Sequence, residues 1–201
     1  MHVVKTAKIP CDAVSARPLI RRLLLTGAVG LAGCTSGSGH GAAAPAPRVA
    51  AQPAPGTCHA RGSGLLSLPD PACTPGAVNP AVTQATIQRT ICVRGWTSRV
   101  RPPERVTEPE KAASMAAYGD SGSMRDYEYD HLIPLALGGA TNDPCNLWPE
   151  PGASPNPKDA VEERLSELVC RGRVTLAFAQ RLIARDWIAA RAWVREHSEQ
   201  H

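Results

Sequence analysis

The segment YEYDHLIPLALGGATNDPCNLWPEP, from Tyr127 to Pro151, limits the fold more than any other part of the chain. From Tyr127 to Leu132 aromatic or apolar residues alternate with polar ones, the period of a strand with one buried face. The run LGGATND then breaks it, with Gly138-Gly139 supplying turn chemistry. Asn146–Pro149 is short and apolar, and reads as a return strand. After a Pro-rich stretch, Asn156-Pro157 has the form of an N-cap with Pro at the first helical position. Val161, Leu165, Leu168 and Val169 then recur at helical spacing up to Gly172. The segment therefore predicts a strand–turn–strand–helix unit that brings the start of the helix back beside Asp130 and His131.

The rest of the folded part is expected to be small and mixed. With one Phe and three Tyr, its core has to come from Leu, Val, Ile, Ala and Trp, which is a modest supply. Asn79-Pro80 predicts a short helix to about Thr90. Cys92–Pro103 reads as extended and interrupted by Gly95. Thr107 with Glu110 forms a capping-box pattern, which predicts a helix from Pro109 to Tyr118. Thr175 is expected to cap one last helix, with Leu176, Leu182, Ile183, Trp187 and Ala190 on its apolar face. The fold class is α+β.

The N-terminus has an export pattern. Arg17, Arg21 and Arg22 precede the apolar stretch Leu23–Gly33, and Cys34 follows, which is the order of a signal peptide. The stretch is too short for an ordinary membrane span. LAGC, Leu31 to Cys34, resembles the bacterial lipobox. That resemblance implies cleavage before Cys34, lipidation of Cys34 and a diacyl membrane anchor; a plain secretory signal is the alternative. Residues 1–15 make the leader long, as a start codon set too far upstream would. Residues 1–34 form the leader, and residues 35–69, rich in Gly, Ser, Ala and Pro to residue 57, read as a tether, with His40 solvated in it. The folded domain then covers residues 70–201.

Charge gives no general argument for nucleic acid. The chain carries 22 Lys and Arg against 18 Asp and Glu. Lys5, Lys8 and the three leader arginines account for the excess, so that residues 35–201 are balanced. Cysteine use fits export. Cys58, Cys73, Cys92, Cys145 and Cys170 contain no CxxC pair, so structural zinc is not expected, and an oxidising compartment favours bridges. The pairs Cys73–Cys92 and Cys145–Cys170 are expected, with Cys58 left over.

Written as a pattern, the central segment is Asp130-His131-x-x-Pro134-Leu135, Gly138-Gly139, Asn146-Leu147, then Asn156-x-Lys158. In residue types, spacing and element order this resembles the HNH, or ββα-metal, nuclease motif. The resemblance covers residues 125–172, and residues 70–190 as a whole look like a group of exported actinobacterial proteins that carry the motif. It implies a ββα-metal hairpin–helix core with flanking helices, here stapled by disulfides where many relatives use a zinc frame.

The resemblance also implies roles, each with a chemical reason. His131 would be the general base, since an imidazole takes up a proton near neutral pH. Asp130 would hold a single Mg²⁺ or Mn²⁺, which prefer hard oxygen ligands. A regular strand places Asp130 and His131 on opposite faces, unless a bulge re-aims one of them. Asn146 would tie the loop and hold His131 in place. Asn156 would be the second ligand, with Asp159 as its rival, and Lys158 would contact phosphate or balance charge near the metal. The plainer readings are an Asn156 that only caps the helix, an Asp159 that supports the helix N-terminus, a Glu162 that faces solvent or pairs with a base, and a solvated Lys158.

Arg94, Arg99 and Arg101, with Arg89 and Arg105 nearby and Trp96 among them, form a candidate surface for a phosphate backbone; a solvated face with Trp96 in the core is the alternative. The function expected is an exported, membrane-anchored endonuclease acting on DNA or RNA. The other class is a non-catalytic surface protein that uses the same scaffold to bind metal, nucleic acid or an envelope component. No arrangement for a cell-wall hydrolase is found.

Overall fold

The computed structural model describes Cys11 and residues 50–197. The leader apart from Cys11, the lipidation candidate Cys34 and residues 35–49 of the tether lie outside the described residues. The elements in chain order are β1 (Arg61–Ser63), β2 (Leu66–Leu68), α1 (Trp96–Val100), α2 (Glu104–Tyr118), β3 (Tyr127–His131), β4 (Leu147–Pro151), α3 (Asp159–Cys170), α4 (Leu176–Arg185) and α5 (Trp187–Glu196). The fold is α+β, with two separate antiparallel two-stranded sheets, β1-β2 and β3-β4.

β3 and β4 pair with the register Glu128↔Glu150, Asp130↔Trp148 and His131↔Leu147. The pairing is regular and has no bulge, so alternation sends Glu128, Asp130 and Glu150 to one face and Tyr129 and His131 to the other. The connection from Leu132 to Asn146 contains a 3-10 turn at Leu135–Leu137, and the left-handed Gly138 (φ 72°) ends that turn. Gly139 is required for a different reason. A Cβ there would collide with the carbonyl of Ile133 and crowd the amide of Asn146. The Gly-Gly pair is therefore half turn chemistry and half close approach.

The main core lies under this hairpin, where α3, α4 and α5 converge. Val161, Leu165, Val169, Ile183, Trp187 and Ala190 are buried there together with Ile133 and Leu137 of the hairpin loop. Trp187 satisfies its one polar group by donating from Nε1 to the carbonyl of Ser67 at 2.8 Å, which fastens β2 to the helical layer. α2 packs against β4.

Several local expectations are corrected. Residues 80–90 form turns and one 3-10 turn, Ile87–Arg89, because the Asn79 side chain accepts from Ala81 N at 3.0 Å and closes a local turn. The stretch read as extended contains α1. α2 begins at Glu104, and Pro109 lies inside it; burial of Val106 against the core outweighs the hydrogen bond that Pro cannot donate. The last helix is two helices. Thr175 caps α4, with its side chain accepting from Phe178 N, and Asp186 caps α5, accepting from Ala189 N.

Residues 58–69, assigned to the tether by composition, belong to the folded part. Cys58, Ser67 and Leu68 are buried, and β1-β2 is held by the Trp187 bond. The disulfides are Cys11–Cys145, Cys58–Cys73 and Cys92–Cys170. Both expected pairs are wrong, and Cys58 is not the odd thiol. Each bridge joins residues that chain folding, not sequence proximity, brings together. Three bridges are consistent with an extracytoplasmic protein, and among the described residues no helix is long and apolar enough to cross a membrane.

Candidate active site

The site forms where the loop end of the β3-β4 hairpin meets the N-terminus of α3. Asn146 organises the loop between the strands. It is fully buried. Its Oδ1 accepts from Ile133 N at 2.9 Å, and its Nδ2 donates to Ile133 O at 3.0 Å and Ala140 O at 3.1 Å. An amide side chain thus substitutes for a neighbouring strand, using both of its N–H donors and its oxygen. Asn146 touches only backbone, which makes it a positioning residue.

The pinned loop carries Thr141, whose carbonyl accepts from Nε2 of His131 at 3.0 Å. A carbonyl can only accept, so Nε2 holds the ring proton and Nδ1 holds the lone pair. Nδ1 has no partner among the described residues. His131 as a whole keeps 5% of its surface exposed. Burial lowers the pKa of His131, and the charges of Arg101 and Lys158 act in the same direction, against the Thr141 bond and Asp130. The ring is therefore neutral near pH 7.

On the opposite face the centre is Lys158, which is completely buried. Asn156 sets up its approach: its Oδ1 accepts from Lys158 N at 2.8 Å, while its Nδ2 donates to Glu128 at 3.0 Å. The Lys158 ammonium donates to Asp130 Oδ2 at 2.5 Å, to the His131 carbonyl at 2.9 Å and to Glu162 one helical turn on. Its three protons thus meet three oxygens. Burial alone would depress this pKa, but Asp130, Glu162 and Glu150 outweigh it and raise it.

The acids around it divide their protons. Burial raises the Asp130 carboxyl, but Lys158 outweighs that and holds it below its ordinary value. Burial and the Asp130 charge push Glu150 up to about 10. Glu150 Oε2 is sealed and has no partner as an ion; protonated, Glu150 donates toward Asp130. Glu162 is pushed up to about 7, chiefly by burial. Burial also raises Glu128.

The fit to a divalent metal fails in this arrangement. The Asp130 carboxylate is bound to an ammonium and faces a protonated acid. The Asn156 amide is used by Glu128 and the Lys158 backbone. Among the described residues there is no group of three His, Cys, Asp or Glu side chains that could hold a metal ion. Asp159 supports the helix start: its Oδ2 accepts from Asn156 N at 2.8 Å and closes the start of α3.

Lys158 is neither solvated nor at the surface where phosphate would meet it. Arg94, Arg99 and Arg101 are exposed. Arg101 lies close enough for its charge to act on His131. Arg94 lines a groove with Glu163 and Glu167, and Arg99 donates to the Arg94 carbonyl at 3.3 Å. Trp96 packs against the core.

Glu150 and the buried Glu110 were not expected. Glu110 accepts from Ala50 N at 2.6 Å and Asn142 Nδ2 at 2.9 Å. The position of Glu150 was readable as the residue two places after Trp148 on one strand face. The sequence marks Glu110 only as the capping-box partner of Thr107, whereas α2 begins at Glu104 and buries Glu110.

Comparison with known proteins returned no match to a family model, to a curated protein or to a solved structure.

Proposed function

We propose that this chain is an exported hydrolase of nucleic-acid phosphodiesters, an endonuclease of the HNH-like kind on a ββα scaffold, with His131 as the base. The observation that carries the reading is the tautomer of His131: Nε2–H is tied to Thr141 O, and the Nδ1 lone pair has no partner among the described residues. A neutral imidazole in this state can take a proton from water as the water oxygen bonds to phosphorus. The P–O bond to the leaving sugar oxygen then breaks, and that oxygen takes a proton from the imidazolium or from solvent. Arg101 is the cation placed to attract the phosphate. The lipobox-like LAGC supports anchoring through Cys34 at the outer face of the cell membrane.

The test uses the full chain, oxidised, with plasmid DNA and with RNA. His131→Ala should cut the cleavage rate by roughly 100-fold or more. Because burial lowers the imidazole pKa, the acid limb of the rate profile should fall below the ordinary histidine value of about 6.5. Folded protein that cleaves neither polymer would reject the reading.

A second reading is a non-catalytic surface protein that binds nucleic acid or an envelope component. The burial of the cluster favours it: Asp130 is 7% exposed and Lys158 0%. Retention of DNA without cleavage, unchanged in His131→Ala, would select it.

A further inference from the structure

We propose that the Lys158 ammonium is the resident cation of this site, built into the chain in the position where a divalent ion would otherwise join the hairpin to the helix. The inference rests on reading β3, β4 and α3 as a ββα unit. Three oxygens converge on Nζ from the two elements that such an ion would have to bridge: Asp130 and the His131 carbonyl from β3, and Glu162 from α3. Two carboxylates and a carbonyl are the donors a hard cation selects. Here a tethered monovalent charge satisfies them, with all of its own donors used.

The local sequence builds this arrangement. Asn156 turns the chain by accepting from Lys158 N, and Glu162 follows four residues later on the same helix face. The side chain of Lys158 then has one direction, into the hairpin. A divalent ion would have to displace a covalently attached ligand whose effective concentration is that of an intramolecular group. The Asp130–Glu162 site is therefore closed to metal.

The experiment is thermal unfolding of the full-length oxidised protein in EDTA, Mg²⁺ or Mn²⁺, for the native chain and for Lys158→Ala. The native Tm should be the same in all three, and saturable stabilisation by Mn²⁺ would overturn the proposal. Lys158→Ala frees the three oxygens; it should melt lower in EDTA and recover by roughly 5 °C or more with saturating Mn²⁺. A folded Lys158→Ala that ignores Mn²⁺ also overturns the proposal. If that variant does not fold in any buffer, the native chain decides alone. Cleavage assays read separately. Cleavage of either polymer supports the nuclease reading, and the melting series alone decides this inference. Absence of cleavage sinks the nuclease and leaves the melting result intact.

Discussion

The Lys158 ammonium lies 2.5 Å from Oδ2 of Asp130, across 28 residues of sequence, and joins the end of β3 to the start of α3. Burying two charges is expensive, and breaking such a pair costs more than never having built it. Asp130→Ala removes one of the two carboxylates bound to Lys158 and the acceptor that Glu150 uses. The expected loss is about 3 kcal/mol, read as a fall in the urea midpoint with an unchanged slope. A loss within the range of an ordinary surface substitution would show that the pair does not hold the two elements together.

The protonated state of Glu150 gives a pH dependence with a definite sign. Its folded pKa, about 10, lies above its ordinary value of 4.5. Below 4.5 both the folded and unfolded chains carry the proton, and its contribution to stability is complete. As pH rises the unfolded chain releases the proton first, so the contribution is lost, by at most about 1.4 kcal/mol per pH unit. Glu150→Gln keeps a donor and cannot ionise. Relative to the native chain, the variant should gain stability steadily from pH 5 to pH 9. Parallel denaturation curves across that range would refute the assignment.

Asn146 supports Ile133 and Ala140 through three buried bonds. Asn146→Ala leaves the Ile133 N–H and C=O without their partner, at a cost of roughly 2–4 kcal/mol. Hydrogen exchange at Ile133 should accelerate strongly while amides in α5 slow or hold relative to it. Uniform acceleration throughout the chain would mean that the residue supports global stability and not the loop that carries Thr141.

The cysteines make the export pathway measurable. Cleavage before Cys34 removes Cys11, the partner of Cys145. The mature domain should then hold Cys58–Cys73 and Cys92–Cys170, with Cys145 as a free thiol and Cys34 carrying lipid. Peptide mapping of the membrane fraction checks this. A Cys11–Cys145 bridge in the mature protein would exclude processing at the lipobox.

Local patterns in the sequence determined the hairpin and the helix that follows it. The alternation from Tyr127, the Gly-Gly break and the Asn156-Pro157 entry to α3 act over a few residues, and β3, β4 and α3 lie within a residue or two of where those patterns place them. The pairing of Asp130 with His131 on opposite faces follows from the same period. What these patterns could not determine depends on distance across the fold. Lys158 reads as a surface lysine until α3 packs on the hairpin and places two carboxylates around it. Glu110 reads as a helix cap until Asn142 and Ala50 reach it. The disulfide partners are separated by 15 to 134 residues, and spacing alone is silent over such distances. Burial decided each of these: it converts a charge that water would stabilise into one that must find its partners inside the protein, and only tertiary packing supplies them.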